Sequence, residues 1–481
     1  MARRPRSAGP LKAAKPKAKP TAASTAGQRK PAPAAVSAKT GGRAKTGARG
    51  KNAGRAKIRM YRQGLGDCFL ISLSRASGKP YRIMIDCGVI LGTPDSSAIM
   101  TAVVEDIARE TGGTIDLLLA THQHWDHLSG FVQATEALKK LTFKKVWLAW
   151  TEDPADQLAR ELAGERDTAL RSLRLSAGAM RLAGGADEAD EIDALIGFFG
   201  AAGGASTEDA LNVVKALGPI RYCRPSDPPV QLADPDARLY VLGPPHDRKL
   251  IRKTLPSTRE PETYGVSANA FGANVLAALD GTDDAAPFGP NRAIPLEIAR
   301  GMDFFRAHYW GPGEAAPDWR RIDTAWLDGA SELALALDSA TNNTSLVLAI
   351  EFADGDVLLF VADAQVGNWL SWETLDWTVD GRKVTAWDLL RRAIVYKVGH
   401  HGSHNATLKA KGLDLMERLR FAMIPVDHAM AVKKRWGNMP LPELVAALGE
   451  KARDGVLRLD ETPAKPPANV VVDKLYFEIS V

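Results

Sequence analysis

The chain has 481 residues, of which 45% are hydrophobic and 25% charged, the profile of a globular protein rather than a fibrous or wholly disordered one. No apolar run approaches the ~20 residues that span a bilayer, and the basic N-terminus has no apolar core behind it, so neither a membrane anchor nor a secretory signal is expected. The cysteines, Cys68, Cys87 and Cys223, form neither a disulfide framework nor a C-x-x-C metal pair, which points to a reducing, cytoplasmic setting.

Residues 1–56 carry 15 Lys or Arg and no Asp or Glu. Against a chain total of +5, that leaves −10 on residues 57–481. The segment is built from Ala, Lys, Pro, Gly and Thr, which cannot bury enough apolar surface to offset the entropy of ordering. It reads as a disordered basic tail. It would serve either as an arm that touches nucleic-acid phosphates or as a leader with no partner.

A single α/β domain is expected over 57–481. "CFLISLS" and "YRIMIDCG" read as strands bounded by Gly and Lys-Pro turns. "IDLLLA" (115–120) and "KVWLAW" (145–150) are continuous apolar runs, which suit strands buried on both faces. From 153 to 221 the spacing turns helical, and a helical insertion is expected at about 151–237. A strand follows at "RLYVLGPP", then an irregular insertion at about 247–340. In "SLVLAIEFADGDVLLFVADA" two apolar runs flank Asp354-Gly355, a hairpin signal. "AIVYKVGHHGSHNAT" is a strand that runs into a Gly- and His-rich loop, and "LYFEISV" closes the chain.

The chemistry concentrates in "THQHWDHLSG", which holds three of the nine histidines. His122 and His124 are two apart, so they project the same way from an extended segment and form half a zinc site. Asp126 and His127 fall where the next helix should begin and point elsewhere, which suits a second ion. The remaining ligands must come from other strand ends. Asp363 ends "VLLFVADA" and could bridge two ions. His400 leaves its strand first after Gly399 and is the favoured ligand, with His401 as its competitor. His401, His404 and Asn405 would otherwise face substrate. His246 in "VLGPPHD" lies just past another strand and is the candidate third histidine of the first ion.

With these residues in view, the chain resembles the metallo-β-lactamase fold superfamily. The H-x-H-x-D-H pattern is His122 to His127, the upstream strand ending in Asp-x-Gly is "IMIDCG" with Asp86, and the later strand ends at Asp363. "GLGDCFLI", "NNTSLVLAI" and "KVGHHGSHNA" are similar to the branch of the C-terminal domain of ComEC-type DNA-uptake proteins. The motifs cover 57–130 and 342–430, and the membrane channel of the uptake proteins is absent. The Gly that often precedes the bridging Asp is here Ala362, and the usual Pro-Gly-His-Thr step reads Pro244-Pro245-His246-Asp247.

The resemblance implies a four-layer αββα sandwich with two divalent metal ions, zinc first and manganese as the alternative. His122, His124 and a further histidine would hold one ion, Asp126, His127 and His400 the other, and Asp363 would bridge them. Asp126 would also orient the attacking water and carry its proton, the catalytic role. The implied activity is a hydrolase acting on phosphodiesters, as a phosphodiesterase or nuclease. The alternatives are hydrolysis of a small ester, thioester or amide, and a non-catalytic partner-binding protein on the same fold.

Overall fold

The computed structural model describes residues 54–182, 186–200, 204–254, 256, 294, 296–310, 333–434, 436 and 439–481. The basic segment expected to be disordered lies, but for its last residues, outside them. Regular structure starts at Ala56, whose strand pairs with the last strand of the chain.

Two large sheets carry the fold. The first has eight strands in the order Val470–Val472, Tyr476–Ser480, Ala56–Tyr61, Phe69–Leu73, Tyr81–Ile85, Leu117–Ala120, Val146–Ala149 and Ile220–Cys223. The second has seven, in the order Gly455–Arg458, Phe421–Ile424, Ala393–Lys397, Val357–Phe360, Val347–Phe352, Ala237–Gly243 and Val230–Leu232. From Tyr81–Ile85 to Ile220–Cys223 the first sheet is parallel, and so is the second from Val357–Phe360 to Gly455–Arg458. Parallel strands are covered on both faces, which is why "LLLA", "VWLA", "VLLF" and "FAMI" are apolar throughout rather than alternating. The hairpin at Asp354-Gly355 forms, with Gly355 at a φ of 87° that its missing Cβ permits.

The inner faces of the sheets meet in one core. Met60, Phe69, Leu119 and Trp147 from the first sheet pack with Leu239, Leu348, Phe360, Val395 and Phe421 from the second. Phe69 and Phe360 stack edge to face at 5.9 Å. The outer face of the first sheet is covered by helices Ser96–Thr111, Trp125–Gln133 and Thr207–Ala216 through Val103, Ile107, Leu128, Phe131 and Val214. Helices Val366–Ser371, Ala386–Arg391 and Pro442–Lys451 share the outer core of the second sheet through Trp369, Leu389 and Leu448. Helix Gln157–Leu182 adds Ala169, Leu173 and Ala177 to that core.

The segment read as a helical insertion does hold three helices, Gln157–Leu182, Ala186–Ile196 and Thr207–Ala216. It returns to the sheets earlier than the expected boundary near 237. "IRYC" extends the first sheet and "VQL" edges the second. Both strands are short and largely exposed or half-buried, so they carry little of the apolar signal that marks the inner strands. In the region read as irregular, the described parts are mainly helical: Arg248–Ile251, Leu296–Gly301, Asp303–Tyr309 and 333–342. No helix among the described residues is long and apolar enough to cross a membrane.

Candidate metal centre

The parallel strands of both sheets aim their carboxyl ends at one edge, the place where α/β folds assemble sites. Asp86 follows Tyr81–Ile85, His122 follows Leu117–Ala120, Asp363 follows Val357–Phe360, and Lys397 ends Ala393–Lys397 just before His400 and His401.

The helix after the motif starts at Trp125 with His124 as its extended N-cap residue, at φ −114° and ψ 153°. His124 is extended, but the chain bends at His122 and Gln123, where His124 N donates to His122 O at 3.1 Å, so the expected extended segment is interrupted; Asp126 and His127 lie in the first helical turn. The ring faces of the motif come together: His122 Nε2 lies 3.1 Å from His124 Nδ1. Two glycine-bearing loops press on this turn. A Cβ on Gly88 would lie 2.3 Å from the Asp126 carbonyl carbon, and one on Gly66 2.6 Å from the Asp126 oxygen. The close approach lets Asp67 N donate to Asp126 O at 3.0 Å and Cys87 N donate to His127 O at 2.8 Å.

Asp67, His127, Asp363 and His401 are buried, and one potential ligand atom from each lies within 4.8 Å of the others, so this group could hold a metal ion. Asp126 stands beside it. Asp126 Oδ2 is 2.9 Å from His401 Nε2 and 3.9 Å from His127 Nε2. Asp363 Oδ2 is 3.1 Å from His127 Nε2 and 3.4 Å from His401 Nε2. The opposite nitrogen of each ring is already engaged. His127 Nδ1 lies 2.7 Å from Asp86 Oδ2, and His401 Nδ1 lies 2.8 Å from the Pro425 carbonyl. Both partners only accept, so each Nδ1 carries the proton and each Nε2 faces the carboxylates. Asp86 is itself fixed, accepting from Thr121 N at 2.8 Å and from Thr121 Oγ1 at 2.7 Å.

Buried hydrogen-bonding atoms are left over here. Among the described residues, His127 Nε2, Asp126 Oδ1, Asp67 Oδ1, His124 Nε2 and Asp338 Oδ1 have no hydrogen-bond partner. An unpaired buried polar atom is costly. The electrostatics agree with that demand for positive charge. Burial works against charge on the His401 imidazole, yet Asp363 and Asp126 outweigh it and push its pKa up to about 10. Burial likewise opposes the Asp363 carboxylate, and His127, His401 and Lys397 overcome it, holding its pKa well below the usual range. By contrast, burial drives His122 down, His124 to about 3 and His400 to about 4, so these three rings are neutral. Asp338 is pushed well up by burial and by Asp126 and Asp363, and its Oδ1 stands 3.6 Å from His124 Nε2.

Two charged residues of the site were not legible as such. Lys397, 1% exposed, places Nζ 2.6 Å from Asp67 Oδ2, 3.2 Å from Asp363 Oδ1 and 2.7 Å from the Ala362 carbonyl. The available signal was a lysine ending the apolar strand "AIVYK" and an aspartate within "GLGDC". Ala362, where Gly was expected, takes a φ of 48°, which explains the preference for glycine at that step.

The choice between the paired histidines reverses. His401 faces the group, while His400 points away: its Nε2 lies 3.3 Å from Asn342 Nδ2, and its Nδ1 2.8 Å from Ser403 Oγ and 3.2 Å from Gln365 Nε2. The expectation assumed an extended chain after Gly399. Instead both residues are left-handed, with φ of 39° and 53°, so the backbone curls and the second ring turns inward. His246 is not among the group either. Its half-exposed ring lies over Trp150 at 4.2 Å, and its Nε2 is 2.9 Å from Asp156 Oδ2. His404 is exposed. Asn405 is buried and occupied, accepting from Ser403 Oγ at 2.8 Å and donating to the Thr254 carbonyl at 3.2 Å. Compared with known proteins, the chain matches no family model and no curated protein sequence.

Proposed function

We propose that this chain is a metal-dependent phosphodiesterase of the metallo-β-lactamase type. The observation that carries the reading is the set of four facing atoms, His127 Nε2, His401 Nε2, Asp126 Oδ2 and Asp363 Oδ2. The four His–Asp separations among them run from 2.9 to 3.9 Å. A tetrahedral zinc with bonds of ~2.0–2.2 Å spaces its donors by roughly 3.4 Å. His127 Nε2 is buried without a hydrogen-bond partner, which a cation would satisfy. Asp126 suits this face better than Asp67. Asp67 approaches the Nδ1 sides of the rings, at 3.9 and 3.8 Å, and its Oδ2 is held by Lys397. His122 Nε2 and His124 Nδ1 would begin a second ion site beside the first.

Divalent ions held there, zinc or manganese, would supply Lewis acidity and an activated water. The protein's own contribution is orientation. Asp86 and the Pro425 carbonyl fix the ring tautomers. Lys397 locks the Asp363 carboxylate. Asp126 would take up a proton from the attacking water. A phosphodiester is favoured by the resemblance of the strand-end motifs and by the basic segment 1–56.

The test is metal analysis of the purified full chain, followed by assays on bis-p-nitrophenyl phosphate, single-stranded DNA, RNA and a β-lactam. Stoichiometric metal and diester cleavage, both lost in Asp126→Ala, are expected. Cleavage of the β-lactam without diester cleavage would replace the phosphodiester by a small amide. Failure to bind metal at stoichiometric level would favour a partner-binding protein.

A further inference from the structure

Gln123, between the two histidines that begin the motif, also lines a groove of about 470 Å³ outside the metal centre. Gln123 is 4% exposed, and its Oε1 has no hydrogen-bond partner among the described residues. The groove wall opposite is one face of helix Gln157–Leu182, with Arg166, Arg171 and Arg174 on it. Arg166 is engaged by Asp167 at 3.8 Å. Arg171 and Arg174 are exposed, and their side chains make no ion pair or hydrogen bond to a described residue. The start of helix Thr207–Ala216 forms the far end, where Ser206 and Thr207 line the groove. That helix end is already capped, with Ser206 Oγ accepting from Asp209 N and Glu208 and Asp209 in its first turn, so the arginines carry the positive charge of the groove. The opposing charges in the groove are Asp167, beside Arg166, and Glu208. Phe199 joins groove to centre, since it lines the one and its ring lies 5.0 Å from the His124 ring in the other.

We propose that this groove is a second substrate-binding subsite, which holds a backbone phosphate of a single-stranded nucleic acid on Arg171 and Arg174 while the neighbouring diester lies at the metal centre. The inference rests on the phosphodiesterase reading and extends it. A monomeric phosphoester would fill the centre alone and leave both arginines idle. A strand engages both places at once. Leu175, 71% exposed on the same wall, offers an apolar surface to a base or sugar. Gln123 would present its free amide to the hydroxyl or amine edges between the two phosphates. The positive spot stands out on a body whose residues 57–481 sum to −10.

The experiment compares the full-length, metal-loaded protein with its Arg171→Gln/Arg174→Gln variant. Binding of a fluorescent single-stranded oligonucleotide is read by anisotropy across a salt series, and turnover is read on bis-p-nitrophenyl phosphate. Two lost phosphate contacts should lower the slope of log affinity against log salt by about 1.4 and weaken binding on the order of tenfold at 0.1 M salt. Turnover of the small diester should stay within about twofold, because a contact that only a longer strand reaches adds nothing to the chemical step on a small substrate. Glu208→Gln should shift oligonucleotide affinity the opposite way. Unchanged oligonucleotide affinity and slope in the double variant would overturn the subsite while leaving the metal reading intact. If the wild-type protein turned over no diester at all, the phosphodiesterase reading would fall, and the anisotropy series would still decide whether the groove holds a strand.

Discussion

Two buried ionic clusters lie in the body of this chain, and their hydrogen bonds close in different ways. The first centres on Arg59, 5% exposed. Its Nη1 donates to Asp106 at 2.7 Å, its Nε and Nη2 to Glu478 at 3.0 and 2.7 Å, and Tyr61 adds its hydroxyl to Asp106 at 2.9 Å. The guanidinium also lies 3.8 Å from the centre of the Tyr476 ring. None of these side chains has a leftover buried atom. The second cluster gathers Asp67, Asp86, Asp126 and Asp363 around Lys397, His127 and His401, and several of its atoms stay unpaired. Both are buried, charged and assembled from distant parts of the chain. The difference is saturation: the first cluster completes its own hydrogen bonds, and the second leaves buried atoms with which it could hold a metal ion.

The largest test of that contrast is removal of a facing nitrogen. His127→Ala and His401→Ala should each abolish stoichiometric metal binding and diester cleavage, measured by metal analysis and turnover. His400→Ala should keep its metal, since that ring pairs with Asn342, Gln365 and Ser403 instead. Metal loss in His400→Ala with retention in His401→Ala would reverse the assignment.

Arg59→Met should behave in the opposite sense. It leaves Asp106 and Glu478 buried without their cation, at a cost of about 3–5 kcal/mol in denaturant unfolding, with metal content unchanged in the folded fraction. Joint replacement of Arg59, Asp106 and Glu478 by apolar residues should recover most of that loss, because a saturated ionic group can give way to packing. Loss of metal on Arg59→Met would show that the two clusters are not independent.

A smaller effect is expected one layer out from the centre. Asp86→Ala removes the acceptor that sets the His127 tautomer and should weaken zinc binding about 10–100-fold in chelator competition. Asp86→Asn should retain more of the affinity, since its amide oxygen can still accept from Nδ1–H. Equal losses would mean that the carboxylate charge, not ring orientation, is what matters.

The smallest effect belongs to the rim of the saturated cluster. Glu110, with its side chain 30% exposed, reaches Arg59 Nη2 at 3.1 Å. Glu110→Gln should change stability by less than about 1 kcal/mol, as solvent-screened pairs do. A larger loss would show that the Arg59 network extends further than its buried members.

The local parts of the centre were determined by sequence alone. His122, His124, Asp126 and His127 share one short segment that turns into a helix, and the helix does begin at Trp125, although the chain bends at His122 and Gln123 instead of staying extended. The apolar runs before Asp86, His122 and Asp363 marked strands, and strand ends carry sites. The tertiary structure decided what depends on more than one segment. Asp67 and Lys397 have no motif of their own, and they meet because the two sheets face each other. His401 rather than His400 turns inward because two successive left-handed residues curl the chain, a local strain that the surrounding packing sustains and that residue identity does not announce. His246 left the centre for Asp156 because the loop that bears it runs toward the start of helix Gln157–Leu182. Spacing along a chain fixes directions only while the backbone stays regular. Beyond that, position is set by which strands pair and which loops pack, and those are properties of the whole fold.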